Sequence, residues 1–202
     1  KIASVGVSTE TTGSVFFDDS GDYLAIPIGT DFDLGTADFT IELWWYKADS
    51  GNQYAWTLGD SKLSTGLELY VGTSGTETKI YTNNGPQLTA ATNPAANEWH
   101  HYAVVRENGT LKLYIDGVQD PSTYDASSND FGGAGGFLYI GVEYYNSGFN
   151  YDGLKYISNF RVCKGHAVYK SNFIVPTREL DVHQGPDDDR TVFLGLYDGE
   201  NI

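Results

Sequence analysis

The sequence predicts an all-β protein folded as a two-sheet antiparallel β-sandwich, and two observations support this prediction. Glycine and tyrosine are abundant, with 24 and 15 of the 202 residues, whereas long helix-forming stretches are lacking. Short segments of alternating apolar and polar residues recur along the chain, separated by turn-forming residues and without a helical period. Strands of this kind are typical of a sandwich or a jelly roll.

Each strand is predicted from its own alternation, and the clearest example is Phe39–Tyr46. Its odd-numbered side chains are all large and apolar, so we assign them to the core. Asn108-Gly109 tolerates the positive φ angles of a tight turn and predicts a hairpin. The predicted strands are Ser14–Phe17, Tyr23–Ile26, Phe39–Tyr46, Leu67–Val71, Trp99–Arg106, Leu111–Ile115, Phe137–Val142, Tyr156–Val162 and Val192–Leu196. The predicted core contains Phe39, Ile41, Leu43, Trp45, Trp99, Leu111, Leu113, Ile115 and Phe160.

Three segments depart from this strand pattern. Ala167–Tyr169 is the one place where the sequence predicts a short helical or 3₁₀ turn. Residues 127–136 are rich in glycine, and residues 183–189 carry a proline and three aspartates, so both segments are predicted to be mobile. Neither is long enough to separate two domains.

Charge and hydropathy exclude several classes of partner. The chain has 27 acidic and 12 basic side chains, a net charge of −15. Nucleic acids and anionic membrane surfaces both require clustered Lys and Arg, so neither is an expected partner. No apolar stretch reaches the roughly 18 residues that a membrane span needs, so no membrane insertion is expected. The single cysteine, Cys163, forms no internal disulfide and is expected to be buried and inert.

Five segments, taken in order, resemble the concanavalin A-like, laminin-G-like jelly-roll domains. They are Gly13–Leu24, Ala37–Trp44, Glu98–Arg106, Gly109–Gly117 and Ile157–Val162. Lys164-Gly165, Tyr169–Phe173 and Pro176 follow, in a form that is similar to modules of tailed-phage virion structural proteins, especially those of marine phages. The resemblance implies one module over residues 1–202, with a core at about 13–180, a C-terminal extension at 181–202, and a virion or extracellular location. Because the sequence starts at Lys1 without Met, we expect it to be part of a longer chain.

The resemblance implies binding or adhesion rather than catalysis. We expect a lectin-like module of a phage fibre, tail or capsid decoration that recognises cell-surface carbohydrate. The rival interpretation is a structural part that assembles with other virion proteins, or with copies of itself, and binds no glycan. A glycan hydrolase ranks third, because laminarinase-type enzymes of this fold need a Glu-x-Asp-x-x-Glu pattern that is absent here. Glu42 and Glu68 are therefore interpreted as solvated or hydrogen-bonded surface carboxylates.

Aromatic residues beside amides define the predicted ligand site. Pyranose rings stack on aromatic faces while their hydroxyls bond to amides and carboxylates. The candidate ligand-binding residues are Tyr54, Trp56, Tyr144, Tyr145, Asn146, Phe149 and Tyr151. Because neighbours on a strand alternate faces, the four rings of the 144–151 segment cannot all turn inward. The open alternative is that these rings fill the edge of the sandwich or bury against a neighbouring subunit.

Calcium is the one metal that the sequence brings into question, because relatives of the resembled fold often carry it as a structural ion. The candidate ligands are Asp18 and Asp22 in an early loop and Asn159 in a late strand. The equally open alternative is that the aspartates only form a turn at a strand end. His100 and His101 are adjacent, so they point to opposite faces and cannot ligate one metal together. No other cofactor is expected.

Overall fold

A computed structural model of the chain describes residues 13–19, 21–72, 77–83, 85–132, 135–150, 153–177, 180 and 191–196. Within these residues every regular element is a β-strand, and the strands form two large antiparallel sheets and one small hairpin. The predicted all-β, two-sheet antiparallel sandwich is confirmed. The described residues contain no helix that is long and apolar enough to span a membrane.

The two sheets draw their strands from the whole length of the chain. Sheet A has the spatial order β1, β14, β3, β8, β9, β10, and β15 pairs with the other half of β14. Sheet B has the order β2, β11, β4, β5, β6, β7, and β12 pairs with β13 in a separate hairpin. The strands are β1 Val15–Phe17, β2 Leu24–Pro27, β3 Phe39–Lys47, β4 Gln53–Leu58, β5 Leu67–Val71, β6 Thr78–Thr82, β7 Gly85–Thr89, β8 Trp99–Glu107, β9 Thr110–Ile115, β10 Val118–Asp125, β11 Phe137–Ile140, β12 Glu143–Tyr145, β13 Gly148–Asn150, β14 Lys155–Lys164 and β15 Thr191–Gly195.

Successive side chains of a strand point to opposite faces, and this alternation decides which of them fill the core between the two sheets. Eight of the nine predicted core residues are buried there, and Trp99 is the exception, with 37% of its surface exposed. On β8 the side chains of Tyr102 and Val104 face the core. Trp99 lies an odd number of residues before Tyr102, so it belongs to the outer face of sheet A. The assignment of Trp99 to the core is therefore wrong. The predicted hairpin turn is confirmed, because Asn108 and Gly109 adopt φ angles of 49° and 79°.

The segment that follows β14, residues 165–176, covers part of the outer face of sheet A and is named here the strap. Ala167, Tyr169 and Phe173 of the strap pack against a small apolar cluster on β8 and β9. The strap backbone is tied to the sheet by Thr40, whose hydroxyl accepts from the Val168 N–H at 2.9 Å and donates to the carbonyl of residue 166 at 3.2 Å. The predicted helical turn at Ala167–Tyr169 is wrong, because these contacts hold the segment in an irregular, non-helical course.

Glu42 lies under the strap and is fully buried. Its carboxylate accepts hydrogen bonds from Arg161 Nε at 2.7 Å, from His101 Nε2 at 3.0 Å and from the Tyr169 hydroxyl at 2.7 Å. Burial opposes ionisation of Glu42, but the hydrogen bond from His101 and the positive charge of Arg161 outweigh it and lower the pKa. The interpretation of Glu42 as a surface carboxylate is wrong, because the strap covers this face of the sheet.

The glycine-rich segment is anchored over its described part, residues 127–132, 135 and 136, contrary to the prediction of a mobile segment. The buried Arg106 guanidinium donates to the carbonyls of Ala126 at 2.7 Å and Asn129 at 3.0 Å. Phe131 is buried in the core, edge-on to Phe39 with a centroid distance of 5.8 Å. The other predicted mobile segment, residues 183–189, lies outside the described residues.

Substituting a core leucine tests the assignment of strand faces. Leu113 on β9 is fully buried, so Leu113→Ala should lower the free energy of unfolding by about 2 to 5 kcal/mol, measured by urea unfolding. The matched control is Leu63→Ala, because Leu63 is 46% exposed and its truncation should cost less than about 0.5 kcal/mol. A cost below about 1 kcal/mol at Leu113 would show that its side chain does not face the core.

Candidate functional site

The outer face of sheet B carries two rows of polar and aromatic side chains. On β5 the leucines face the core, so Glu68 and Tyr70 face outward. The strand register aligns each with its neighbours across the sheet. The row that we name the Glu68 row consists of Tyr139, Thr57, Glu68 and Tyr81. The row that we name the Tyr70 row consists of Tyr54, Tyr70 and Lys79.

The β12–β13 hairpin is fixed over β4 on this face. The Thr57 hydroxyl donates to the Val142 carbonyl at 3.1 Å and accepts from the Tyr144 N–H at 3.3 Å. At the tip of the hairpin, the Asp60 carboxylate accepts from the Asn146 N–H at 2.9 Å and the Ser147 N–H at 3.1 Å. These bonds hold both the base and the tip of the hairpin on the sheet.

The two sides of the hairpin carry different chemistry. Tyr144 and Phe149 are cross-strand partners, and their rings pack on Tyr139 with centroid distances of 4.8 and 5.2 Å. Phe149 also stacks on Tyr23 at 4.9 Å. Glu143, one residue before Tyr144, lies on the other side of the hairpin, where its charge acts on Glu68. One side is therefore an internal aromatic cluster, and the other faces the centre of sheet B.

The structure brings five of the predicted ligand residues to this face of sheet B. Tyr54, Tyr144 and Phe149 are half-buried, while Tyr145 and Asn146 are exposed. The five do not form one ligand surface, because Tyr144 and Phe149 are occupied by their contacts with Tyr139. The sequence predicted that not all four aromatic rings of residues 144–151 turn inward. Tyr145 agrees with this prediction, because 38% of its surface is exposed.

Trp56 does not belong to this surface, because it is fully buried in the core. Tyr54 and Trp56 are two residues apart and would share a face in a regular strand. A β-bulge between them shifts the register, so Tyr54 points outward and Trp56 inward. The assignment of Trp56 to the ligand site is therefore wrong. Tyr151 lies outside the described residues.

The outer face of sheet B also presents Tyr70, Lys79 and Tyr81, which the sequence analysis did not select. Ring centroids are 5.2 Å apart between Tyr54 and Tyr70 and 5.6 Å apart between Tyr70 and Tyr81. Lys79 Nζ lies 6.0 Å from the centre of the Tyr70 ring, and the Tyr70 hydroxyl donates to Asn52 Oδ1 at 2.9 Å. The alternation of Leu67–Val71 already places Tyr70 away from the core, whereas Tyr81 lies on a strand that the sequence analysis missed.

Glu68 is a fully buried carboxyl at the centre of this face. Burial raises its pKa well above the usual range, and the negative charge of Glu143 raises it further, despite a hydrogen bond from Ser61. The interpretation of Glu68 as a solvated surface carboxylate is therefore wrong. Glu42 and Glu68 lie on the outer faces of opposite sheets, so they cannot flank one glycosidic bond.

The predicted calcium ligands lie apart. The Asp18 N–H donates to Asp22 Oδ2 at 3.4 Å on the exposed surface. Asn159 is buried, and its side-chain oxygen accepts from the Leu180 N–H at 2.8 Å. The end of β1 before Asp18 pairs with Lys155, four residues from Asn159, which is roughly 13 Å at about 3.3 Å per residue. Among the described residues, no group of three His, Cys, Asp or Glu is placed to hold a metal.

Two other sequence expectations are met. His100 and His101 point to opposite faces: His100 Nδ1 lies 2.7 Å from Asp116 Oδ2, whereas His101 contacts Glu42. Cys163 is buried, and burial raises the pKa of its thiol, which keeps the thiol in its unreactive protonated form.

Comparison with known families agrees with this architecture. Residues 18–166 match the Laminin_G_3 family, described as the Concanavalin A-like lectin/glucanases superfamily. The match covers well over half of the chain, so the chain belongs to this family. The sandwich is accordingly a concanavalin A-like jelly roll. No curated protein matches the sequence.

Several solved structures share the fold at low sequence identity. A putative carbohydrate binding protein from Bacteroides ovatus has a TM-score of 0.63 and 17% identity, covering 93% of this chain and 52% of the other. The CBM40 of the Ruminococcus gnavus IT-sialidase, bound to α2,3-sialyllactose, has a TM-score of 0.50 and 14% identity, covering 74% and 94%. Domains LG4-5 of the mouse laminin α1 chain have a TM-score of 0.52 and 16% identity, covering 79% and 44%. The chain thus spans about half the length of the Bacteroides ovatus protein, and these likenesses show the fold alone.

Replacing Glu68 should change how stability depends on pH. Because the pKa of Glu68 is raised in the folded state, the folded protein holds this proton more tightly than the unfolded chain does. Its stabilising contribution is therefore present below the usual pKa of a glutamate and is lost as pH rises through the folded-state pKa. Glu68→Gln has no proton to lose, so its stability relative to the wild type should increase between about pH 4 and pH 8, measured by urea unfolding.

The matched control is Asp31→Asn, which makes the same kind of change, carboxyl to amide, at an exposed side chain. Its stability should differ from that of the wild type by less than about 0.5 kcal/mol across the same pH range. If the Glu68→Gln and wild-type curves also ran parallel, Glu68 would not be held as a neutral acid.

Proposed function

We propose that this chain is a non-catalytic carbohydrate-binding module and that the ligand lies on the outer face of sheet B, beside the β12–β13 hairpin. The observation that carries the proposal is that Tyr54, Tyr81 and Tyr145 each leave part of the side chain uncovered on this face. Partly exposed tyrosine rings offer a flat apolar surface for a pyranose and a hydroxyl for its polar edge. Two of the similar structures are named as carbohydrate-binding, which supports the same class of ligand.

Polar groups beside these rings supply hydrogen bonds for sugar hydroxyls. Asn52 is exposed next to Tyr70, and Asn146 is exposed at the hairpin tip, where its Oδ1 accepts from Lys62 Nζ at 2.6 Å. The net charge of −15 repels sulfated and sialylated chains at long range. We therefore propose a glycan without net negative charge.

Binding without catalysis is supported by the state of the two carboxyls that the sequence singled out. Glu68 is fully buried, so a bound glycan does not reach it, and Glu42 lies under the strap in a pair with Arg161. A retaining glycosidase instead needs two accessible carboxyls about 5 to 5.5 Å apart across the glycosidic bond.

The proposed setting is an extracellular assembly, and in particular a phage virion, where the module adheres to cell-surface glycan. Support comes from the sequence resemblance carried by residues 164–176, of which 165–176 form the strap over sheet A. The alternative is a structural module that contacts other virion proteins or copies of itself through exposed groups such as Tyr145. Tight assembly in sedimentation velocity, together with no binding on a glycan array, would favour this alternative.

Removing one tyrosine ring tests the binding surface. Tyr81→Ala should weaken the best ligand from a glycan array by about tenfold, or about 1.4 kcal/mol, measured by isothermal titration calorimetry. The matched control is Phe137→Ala, which removes an exposed ring from the same sheet, where it packs on Tyr139 on the opposite side of the hairpin. Equal affinities of the Tyr81→Ala variant and the wild type would place the ligand elsewhere.

No glycan that binds should be hydrolysed. Incubation of the array ligand with concentrated protein, followed by chromatography of the products, should show intact glycan. Cleavage that disappears in Glu68→Gln or Glu42→Gln, with the fold retained, would overturn the non-catalytic assignment.

A further inference from the structure

Four aromatic side chains form a continuous row across the outer face of sheet A. Phe16, Tyr156, Tyr46 and Trp99 are successive cross-strand partners on β1, β14, β3 and β8. Their ring centroids are separated by 4.7, 5.8 and 5.6 Å in that order. We name this set the aromatic row. It lies on the opposite side of the sandwich from the Tyr70 row.

The strap leaves the aromatic row open to solvent. The strap packs around His101 and Tyr114, through Tyr169 and Phe173. The aromatic row lies two residues further along the strands than His101, and its end members are exposed, Phe16 by 44% and Trp99 by 37%. The face of sheet A is therefore covered over one part and bare over the other.

The two tyrosines at the centre of the row also present polar groups. Tyr46 and Tyr156 are half-exposed, and neither hydroxyl has a hydrogen-bond partner among the residues that the structure describes. Under the strap, by contrast, the Tyr169 hydroxyl donates a hydrogen bond to the Glu42 carboxylate. The aromatic row thus combines uncovered apolar ring surface with two hydroxyls available to a ligand.

The size of the row distinguishes between classes of occupant. At about 150 to 250 Å² for a whole aromatic side chain, the exposed parts of the four rings sum to roughly 300 Å². A stable protein interface buries about 800 Å² on each partner. The exposed area of the aromatic row is smaller than the area that a stable dimer of this chain would bury on each partner. A single sugar chain, by contrast, makes contacts over an area of this size.

We propose that the aromatic row is a second binding surface, for an uncharged, unbranched chain of equatorially linked pyranoses such as a β-1,4-glucan. Such a chain is a straight ribbon whose C–H faces pack on aromatic rings. Neighbouring rings of the row are inclined to each other by 31°, 81° and 56°. The exposed rings at the two ends, Phe16 and Trp99, therefore supply the stacking surface, and the two hydroxyls between them supply hydrogen bonds. The strongly negative charge of the protein favours an uncharged chain. This surface is separate from the proposed sheet B site, so the module is able to bridge two glycan chains.

The test uses the β-1,4-glucan oligomers cellobiose and cellohexaose as probes, titrated into the whole chain by calorimetry. Cellohexaose should bind at least about tenfold more tightly than cellobiose, because only the longer chain spans several rings. Trp99→Ala should weaken cellohexaose binding about tenfold or more. The double variant Tyr46→Phe with Tyr156→Phe keeps all the rings and should weaken it about threefold or more through the lost hydroxyls. Phe137→Ala removes an exposed ring on the other sheet, outside both proposed surfaces, and should leave this affinity unchanged.

Three results would overturn the proposal. One is a wild-type affinity for cellohexaose weaker than about 10 mM. A second is loss of that binding in Tyr81→Ala but not in Trp99→Ala or the double phenylalanine variant, which would assign it to sheet B. The third is a concentration-dependent dimer that Trp99→Ala abolishes, which would make a second copy of the chain the occupant. The proposed function is tested separately, since it depends on the array ligand and on Tyr81.

Discussion

The ion pair between Glu42 and Arg161 fixes the arrangement on which the outer face of sheet A depends. The two residues are direct cross-strand partners on β3 and β14 and lie 119 residues apart in the sequence. Both are buried, and hydrogen bonds from His101 and Tyr169 offset part of the cost of removing the charges from water. Removing either charge would leave the other unpaired, at a cost of about 3 to 5 kcal/mol. Because Tyr169 belongs to the strap, the pair also holds the strap on the sheet.

Glu42 and Glu68 show how the neighbours of a buried carboxyl decide its charge. Both are fully buried on the outer face of a sheet, where burial alone favours the neutral form. Glu42 has Arg161 and His101 beside it, and its pKa is lowered. Glu68 has Glu143 beside it, and its pKa is raised well above the usual range. The pKa of the same residue type is therefore lowered in one sheet and raised in the other.

Each sheet is covered in part on its outer side by a separate element, the strap on sheet A and the β12–β13 hairpin on sheet B, and the surfaces proposed for binding are those that these elements leave open. The strap covers the Glu42 network and leaves the aromatic row bare. The β12–β13 hairpin covers Tyr139 and leaves the Tyr70 row partly exposed. The exposed aromatic rings of the chain therefore lie on two opposite faces of the sandwich.

The sequence by itself determined the two-sheet antiparallel class, the core face of β3 and the turn at Asn108-Gly109, because alternation and turn chemistry are local properties. It also singled out the aromatic segment 144–151, which contains the β12–β13 hairpin. Of the strands in the two large sheets it missed β4, β6, β7 and β10, whose alternation is masked by a bulge on β4 and by register shifts between β6 and β7 and within β10. Only the tertiary structure decided that Trp56 faces inward, Trp99 outward, and that Glu42 and Glu68 are buried. These outcomes depend on bulges and on covering segments distant in the chain, which no local pattern encodes.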